Sequence, residues 1–281
     1  MNKKQIVVIL AVVAIVGYLY SLPVKSLIKP KPTRAQGGVA SAQPATAAIT
    51  VDGVSASAKT LIGPALSAKL TDLENQLKNA SDANARLRLQ KQLAKQWDDV
   101  NQPAPAAFYL RDIARLENSA AAWISAGSHF NDAFKLTQDT LAQPAFVHNA
   151  VDAFQNAVKL QPESLEAKTG LGIAYVNGGA SPMQGIALLL EVVKKDPTNR
   201  KANLNLGLFA MKSGQFDKAV IRFKTLIAQK AEVEPYFYLA ESYKQLGMKK
   251  EAIGAYQKCR EMMPDPAFDQ RIDEYIKELK N

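Results

Sequence analysis

Down the second half of the chain, apolar and small residues recur in a fixed order. A leucine, a glycine or alanine next to it, and a third residue four positions after the leucine appear as Leu171, Gly172 and Tyr175. They return as Leu206, Gly207 and Ala210, and again as Leu239, Ala240 and Tyr243. A glycine follows each trio: Gly179, Gly214 and Gly247. A small residue with a bulky one four positions later comes next: Gly185 and Leu189, Ala219 and Phe223, Ala252 and Tyr256. The spacing within each trio places it on one face of a first helix, and each later pair on one face of a second helix. The small residues sit where two backbones approach, and the bulky ones fill the space beside them. Gly214 is expected in the left-handed conformation that ends a first helix. Pro197 and Pro264 end second helices, because proline cannot continue a helix and restrains its predecessor. The period is about 34 residues, that of a helix–turn–helix array.

A plain helical bundle also carries apolar stripes, but has no reason to repeat glycine and small residues at this period. The pattern resembles the tetratricopeptide repeat (TPR) family, whose units carry Trp, Leu-Gly, Tyr, Ala, Phe, Ala and Pro at fixed offsets. Residues 165–199 match with Leu171, Gly172, Tyr175, Leu189 and Pro197. Residues 200–232 match with Leu206, Gly207, Ala219 and Phe223, though Ala231 replaces the closing proline. Residues 233–266 match with Tyr236, Leu239, Ala240, Tyr243, Ala252, Tyr256 and Pro264. Upstream, Trp123, Ala126, Gly127 and Phe130 read as a first helix, and Ala150, Phe154, Ala157 and Pro162 as its second, within 120–164. The spacing between those two is too long, so 131–147 holds an insertion or lengthened helices. A fainter copy over 87–119 has Leu93, Ala94, Trp97, Ala106 and Leu110. The resemblance implies an all-α chain, a superhelical TPR solenoid over 87–266, and a concave binding surface in place of catalytic apparatus.

The segment 267–281, with Phe268, Ile272, Tyr275, Ile276 and Leu279, suits a C-terminal capping helix over the last unit's open face. At the other end, 61–86 holds Leu66, Leu70, Leu73 and Leu77 on one helical face, as an N-terminal capping helix or a self-association coil would.

From Gln5 to Val24 no residue is charged. About 20 such residues span a bilayer core as a helix. Tyr18 and Tyr20 lie near one end, where interfacial aromatics belong. A cleaved signal peptide is the rival reading and needs small residues directly behind the apolar region. Ser21-Leu22-Pro23-Val24 is a poor site, and Ala40-Ser41-Ala42 lies too far downstream. A lipid-bearing cysteine does not fit, since the single cysteine is Cys259. The expectation is a retained transmembrane anchor over 1–26. Residues 27–60 are rich in Pro, Ala, Ser, Thr and Gly and read as a disordered linker, with Ile49-Thr50-Val51 suited to transient strand pairing. Cation counts of Lys25, Lys29, Lys31 and Arg34 against Lys3 and Lys4 favour repeats in the cytoplasm. A short charged tail that stays inside argues the opposite, as does the resemblance to single-anchor bacterial TPR proteins with periplasmic repeats. The expectation adopted is the extracytoplasmic (periplasmic) side.

The net charge of +9 changes this picture little. Residues 1–60 hold seven lysines and arginines against the single acid Asp52, so the repeat region is close to balanced. It lacks the basic stripe of a nucleic-acid footprint. The cations at 25–34 serve anionic headgroups or topology. His129 and His148 have no ligand-spaced partner, and Cys259 falls where a small buried residue is wanted. Gly178-Gly179 lacks the context of a phosphate loop. The expectation is therefore no enzyme, no cofactor, no metal, no nucleic acid and no small-molecule substrate.

Function then rests on a surface that takes a protein or peptide. The resemblance, carried over offset by offset, places Asn131, Asn177, Lys201, Lys212, Phe237, Glu241 and Lys244 on the inward faces of the first helices. Phe237 is the one large aromatic of the set, an apolar anchor for a peptide or else core packing. The family's carboxylate-gripping lysine–asparagine set is not reproduced. The reading is a membrane-tethered adaptor or scaffold. Its alternatives are a permanent structural or assembly subunit of a membrane complex, and an accessory factor in maturation of cytochromes or envelope components.

Overall fold

A computed structural model describes residues 49–179 and 181–280. The transmembrane anchor expected over 1–26, and the linker up to residue 48, lie outside the described residues. Among those described, no helix is long and apolar enough to cross a membrane.

Thirteen α-helices follow one another among the described residues, and no strand occurs there. They are α1 (Val51–Lys59), α2 (Pro64–Asn79), α3 (Ala83–Asp99), α4 (Pro103–Glu117), α5 (Ala120–Leu136), α6 (Gln143–Leu160) and α7 (Leu165–Gly178). Then come α8 (Pro182–Lys195), α9 (Arg200–Lys212), α10 (Phe216–Gln229), α11 (Val233–Gln245), α12 (Lys249–Met262) and α13 (Pro266–Lys280). From α3 to α12 they pair as antiparallel hairpins, the odd-numbered member first.

Local chemistry sets the ends. Asp82, Ser119, Ser164 and Asn199 each cap the helix that follows by accepting a backbone N–H. Gly214 closes the α9–α10 turn at φ 73°, a conformation that a side chain resists. The long unit 120–164 owes its excess to both of the expected causes. Helices α5 and α6 run 17 and 18 residues, against 13 or 14 for the helices α7 to α12, and a longer connection joins them.

In the three units from α5 to α10, a bulky side chain wedges against glycine on a first helix. A Cβ on Gly127 would lie 2.8 Å from the Phe154 ring, and one on Gly170 would collide with the same ring from the next unit. A Cβ on Gly207 would lie 2.7 Å from Phe223. Leu189 fills the same role beside Gly172. The core divides into four successive clusters, around Trp97, Phe154, Leu189 and Phe223 with Tyr256.

The hairpins stack unevenly. First helices α5, α7 and α9 each touch the next first helix, whereas second helices α6, α8, α10 and α12 make no comparable contact with one another. The first helices thus form the tighter, inner layer, and the second helices splay outward. This is the geometry of a solenoid that curves around its first helices.

The ends depart from the sequence reading in one respect. Residues 51–59, expected within the disordered linker, form α1 and pack on α4. Thr50, expected to favour a strand, instead accepts the Gly53 N–H as the N-cap. Ser55 and Ala58 are buried because their small side chains let α1 come close. The Ser55 hydroxyl and the Lys59 ammonium both donate to the buried Glu74 carboxylate of α2, and the Tyr109 hydroxyl reaches it at 3.4 Å. Burial, then Glu74, raises the Tyr109 pKa. Composition missed this helix because it is held by small residues and a carboxylate, with little apolar bulk. Helix α2 packs Leu70 and Leu73 into the cluster of Leu93 and Trp97, and α13 packs on α12 through Ile272, Ile276 and Leu279.

The wedge geometry gives a paired test. Gly207→Leu forces a branched side chain into Phe223 and destabilises the fold by about 1–3 kcal/mol in urea unfolding. Gly254→Ala, at an exposed mid-helix site with open space around it, stabilises by about 0.5–1 kcal/mol. Equal effects of the two would contradict the packing described.

Candidate functional site

The inner face of α9 is exposed at both of its ends. Lys201 and Lys212 are placed at its two ends, Lys201 exposed and Lys212 exposed beside the turn into α10. Between them Leu204, Leu208 and Met211 share the same helical face and are half-buried. On α7 the corresponding face carries Ile173, which is buried, and Val176 and Asn177, which are half-buried. These residues bring together an apolar floor with a cation at each end.

The remaining members of the expected set are engaged inside the protein. Asn131 is buried, and its Nδ2 donates to the Gly170 carbonyl at 3.1 Å, tying α5 to α7. Phe237 is half-buried among aromatic rings, 6.0 Å from Tyr256 and 6.1 Å from both Tyr238 and Tyr275. Of its two readings, this surrounding is that of core packing. Glu241 accepts the Tyr256 hydroxyl proton. Burial, then Glu241, raises the Tyr256 pKa. Lys244 pairs with Glu278 at 2.9 Å and lies over the Tyr275 ring, and the Glu278 hydrogen bond raises its pKa. Helix α13 therefore covers the part of the inner face from which these three side chains project.

The structure separates the set into an open group, Asn177, Lys201 and Lys212, and a packed group, Asn131, Phe237, Glu241 and Lys244. Carry-over by offset assigned these residues a helix face but had no information about the capping helix. It also passed over Leu204, Leu208 and Met211. Their signal was present in the sequence as a second apolar stripe on α9, opposite the Leu206–Ala210 stripe.

Other candidate chemistry resolves into packing. His129 bridges the Ser125 carbonyl and Asp98 at 2.7 and 2.8 Å. Cys259 is fully buried, and burial pushes its thiol up to about 11. Among the described residues, no three His, Cys, Asp or Glu side chains converge as a metal-binding group.

Comparison with known proteins gives a consistent result. The family model for the tetratricopeptide repeat matches residues 236–265, which lie within α11 to the end of α12 and just beyond. BBSome complex member BBS4 of Bos taurus is 31% identical over 86 residues, covering 31% of this chain and only 16% of that protein. A thermophilic TPR protein of Thermus thermophilus superposes with a TM-score of 0.52 at 20% identity, covering 67% of this chain and 97% of that one. YrrB, a TPR protein with an unusual peptide-binding site, gives a TM-score of 0.45 at 16% identity, covering 66% and 91%. The Thermus structure shows that the fold is shared.

Phe237→Ala separates packing from contact. Loss of a half-buried ring from the α11–α12–α13 cluster is expected to cost about 2 kcal/mol or more, seen as a lower melting temperature. An unchanged melting temperature would place the ring outside the core.

Proposed function

For this tetratricopeptide-repeat protein we propose the role of a membrane-tethered adaptor. The stretch Gln5–Val24 anchors it, and the repeats stand on the extracytoplasmic side. The inner face takes a protein or peptide segment. The TPR fold is a protein-interaction scaffold, and the observation that carries the finer reading is the open face of α9. Lys201 and Lys212 stand at the ends of the Leu204–Leu208–Met211 floor. A segment with apolar side chains and flanking carboxylates complements that arrangement: apolar burial supplies affinity and the lysines set the register. The packed group contributes by holding the inner layer in shape.

A second reading has a specific observation behind it. Met183, Leu190 and Ile221 are exposed on the outer helices α8 and α10, an apolar group that a permanent assembly subunit would cover.

Two measurements test the proposal. In intact cells, a photo-crosslinking residue at Lys212 or Lys201 is expected to capture a discrete partner, and one at Gln257 on the outer helix α12 is not. Equal capture at all three positions would overturn the inner face as the site. In fractionated membranes, the full chain resists alkaline carbonate, and deletion of residues 1–26 releases it. A mature N-terminus beyond Val24 would refute the anchor.

A further inference from the structure

The three best-matched units differ at one equivalent position, four residues after the leucine of the first helix. It is Tyr175 in α7, Ala210 in α9 and Tyr243 in α11. The position faces outward, between the second helix of its own unit and that of the unit before. The preceding second helix covers it with the residue that follows its wedge: Gln155 after Phe154, Leu190 after Leu189, Lys224 after Phe223. In the first case Gln155 Nε2 donates to the Tyr175 hydroxyl at 2.9 Å. In the third, Lys224 Nζ lies 5.7 Å from the centre of the Tyr243 ring. In each, a tyrosine fills the slot and a polar side chain covers it.

The α9 unit has neither. Ala210 leaves the slot empty of a ring, and the covering residue is apolar Leu190, 45% exposed. What results is a cleft of about 280 Å³ between α8 and α10, floored by Phe209 and Ala210 and walled by Leu190 and Ile221. Ile221 is 60% exposed. An apolar cavity of about 150 Å³ is enough to take benzene, so a phenol-sized ring fits this one.

Charge at the rim is one-sided. Lys218 and Arg222 line the cleft, and no acidic residue does. Lys218 Nζ donates to the Gln215 amide oxygen, and Arg222 Nη1 to the Asn203 amide oxygen at 3.2 Å. Neither forms an ion pair among the described residues. Desolvation lowers the Arg222 pKa, so a carboxylate arriving there would offset a cost already present. Met183, seven residues before Leu190 on the same face of α8 and 72% exposed, extends the apolar surface past the cleft. That is more surface than one free ring would cover.

We infer that this outer cleft is a docking site for an aromatic side chain of a partner protein, carried beside a carboxylate on an exposed segment. The partner supplies the ring that Tyr175 and Tyr243 supply in the neighbouring units. Lys218 and Arg222 select the acidic neighbour. The site lies on the opposite side of α9 from Lys201 and Lys212, and it stands whether or not the inner face binds.

The test uses the full chain with methyl-labelled Ala, Leu and Ile, titrated with acetyl-Asp-Tyr-Asp-amide and with acetyl-Asn-Tyr-Asn-amide. Dose-dependent shifts are expected at the Leu190, Ala210 and Ile221 methyls, with the acidic peptide at least fivefold tighter at low salt. Ala210→Tyr is expected to weaken binding at least tenfold while the melting temperature holds or rises, because tyrosine occupies both equivalent slots. Ile221→Lys, at an exposed site, also weakens it tenfold, and Lys218→Glu removes the preference for the acidic peptide. Shifts confined to Leu204 and Leu208, or binding indifferent to Ala210→Tyr, would overturn the site. An unfolded Ala210→Tyr variant would overturn the equivalence of the slots. Two further results would overturn the partner assigned. One is 3-(4-hydroxyphenyl)propionate binding as tightly as the peptide, which marks a small-molecule site. The other is a dimer of the chain that Ala210→Tyr dissolves, which marks a second copy.

Discussion

In the central units of this solenoid the distance between helices is set by a ring or a leucine pressed against a glycine. Phe154 is the clearest case. Its ring lies against Gly127 of its own unit and Gly170 of the next, so one side chain fixes both the hairpin and the stack. Glycine costs a helix interior about 0.5–1 kcal/mol relative to alanine. The cost is offset by the burial of a whole aromatic side chain at close range, worth roughly 1.5–3 kcal/mol. Phe154 reaches from its second helix to glycines on two first helices, the first helices also touch one another directly, and the second helices part. The inner face and the outer clefts are two consequences of that one asymmetry.

Polar contacts then fix the two helices of a unit on each other and, at Arg200, one unit on the next. Arg200 of α9 donates to the Leu226 carbonyl at the end of α10 and pairs with Glu232 just before α11. The fully buried Asn203 spends its amide N–H groups on the Pro197 and Asn199 carbonyls, and its oxygen receives Arg222. Lys168, almost wholly buried, pairs with Glu191 across its own hairpin. Each such bond to a buried group is worth about 1 kcal/mol net, but losing one partner leaves the other stranded at greater cost. Exposed pairs such as Lys258 with Glu261 are screened by solvent and carry little of the fold. Specificity of stacking therefore rests on a few buried amides and guanidinium groups, and bulk stability on the wedges.

This division explains what the sequence disclosed. Wedges recur at a fixed period, so Gly207 with Phe223 was legible as a helix-pair contact, Ala252 with Tyr256 as one face of a second helix, and the all-α repeat class followed. Contacts made once in the chain have no period to betray them. The α1 helix depends on Ser55, Lys59, Tyr109 and a single buried carboxylate, Glu74, and its composition resembles a linker. Phe237, Glu241 and Lys244 were assigned to one helix face by their offsets in the repeat. Their engagement by Tyr256, Tyr275 and Glu278 depends on how α13 lies against the last unit, which no offset within the repeat encodes. Leu204, Leu208 and Met211 were visible as a stripe but competed with the stronger stripe on the opposite side of the same helix.

That competition points to α9 as the unusual member of the array. A first helix in the interior of a solenoid has one face for the hairpin, one for each neighbouring unit and little left over. Helix α9 keeps apolar residues on its inner side between two lysines. On its outer side it lacks the tyrosine that its neighbours use to seal the gap between second helices. Substituting a ring by alanine in a repeat otherwise built on rings gives up packing that the same chain obtains twice elsewhere. A sequence that satisfies its own rule at Tyr175 and Tyr243 has the means to satisfy it at Ala210. The exception is compounded at Leu190, where the polar cover is also replaced, and by the rim cations Lys218 and Arg222, which form no ion pair among the described residues. These departures around one slot, at Ala210, at Leu190 and at the rim cations, fit the docking of an aromatic side chain beside a carboxylate inferred for this outer cleft.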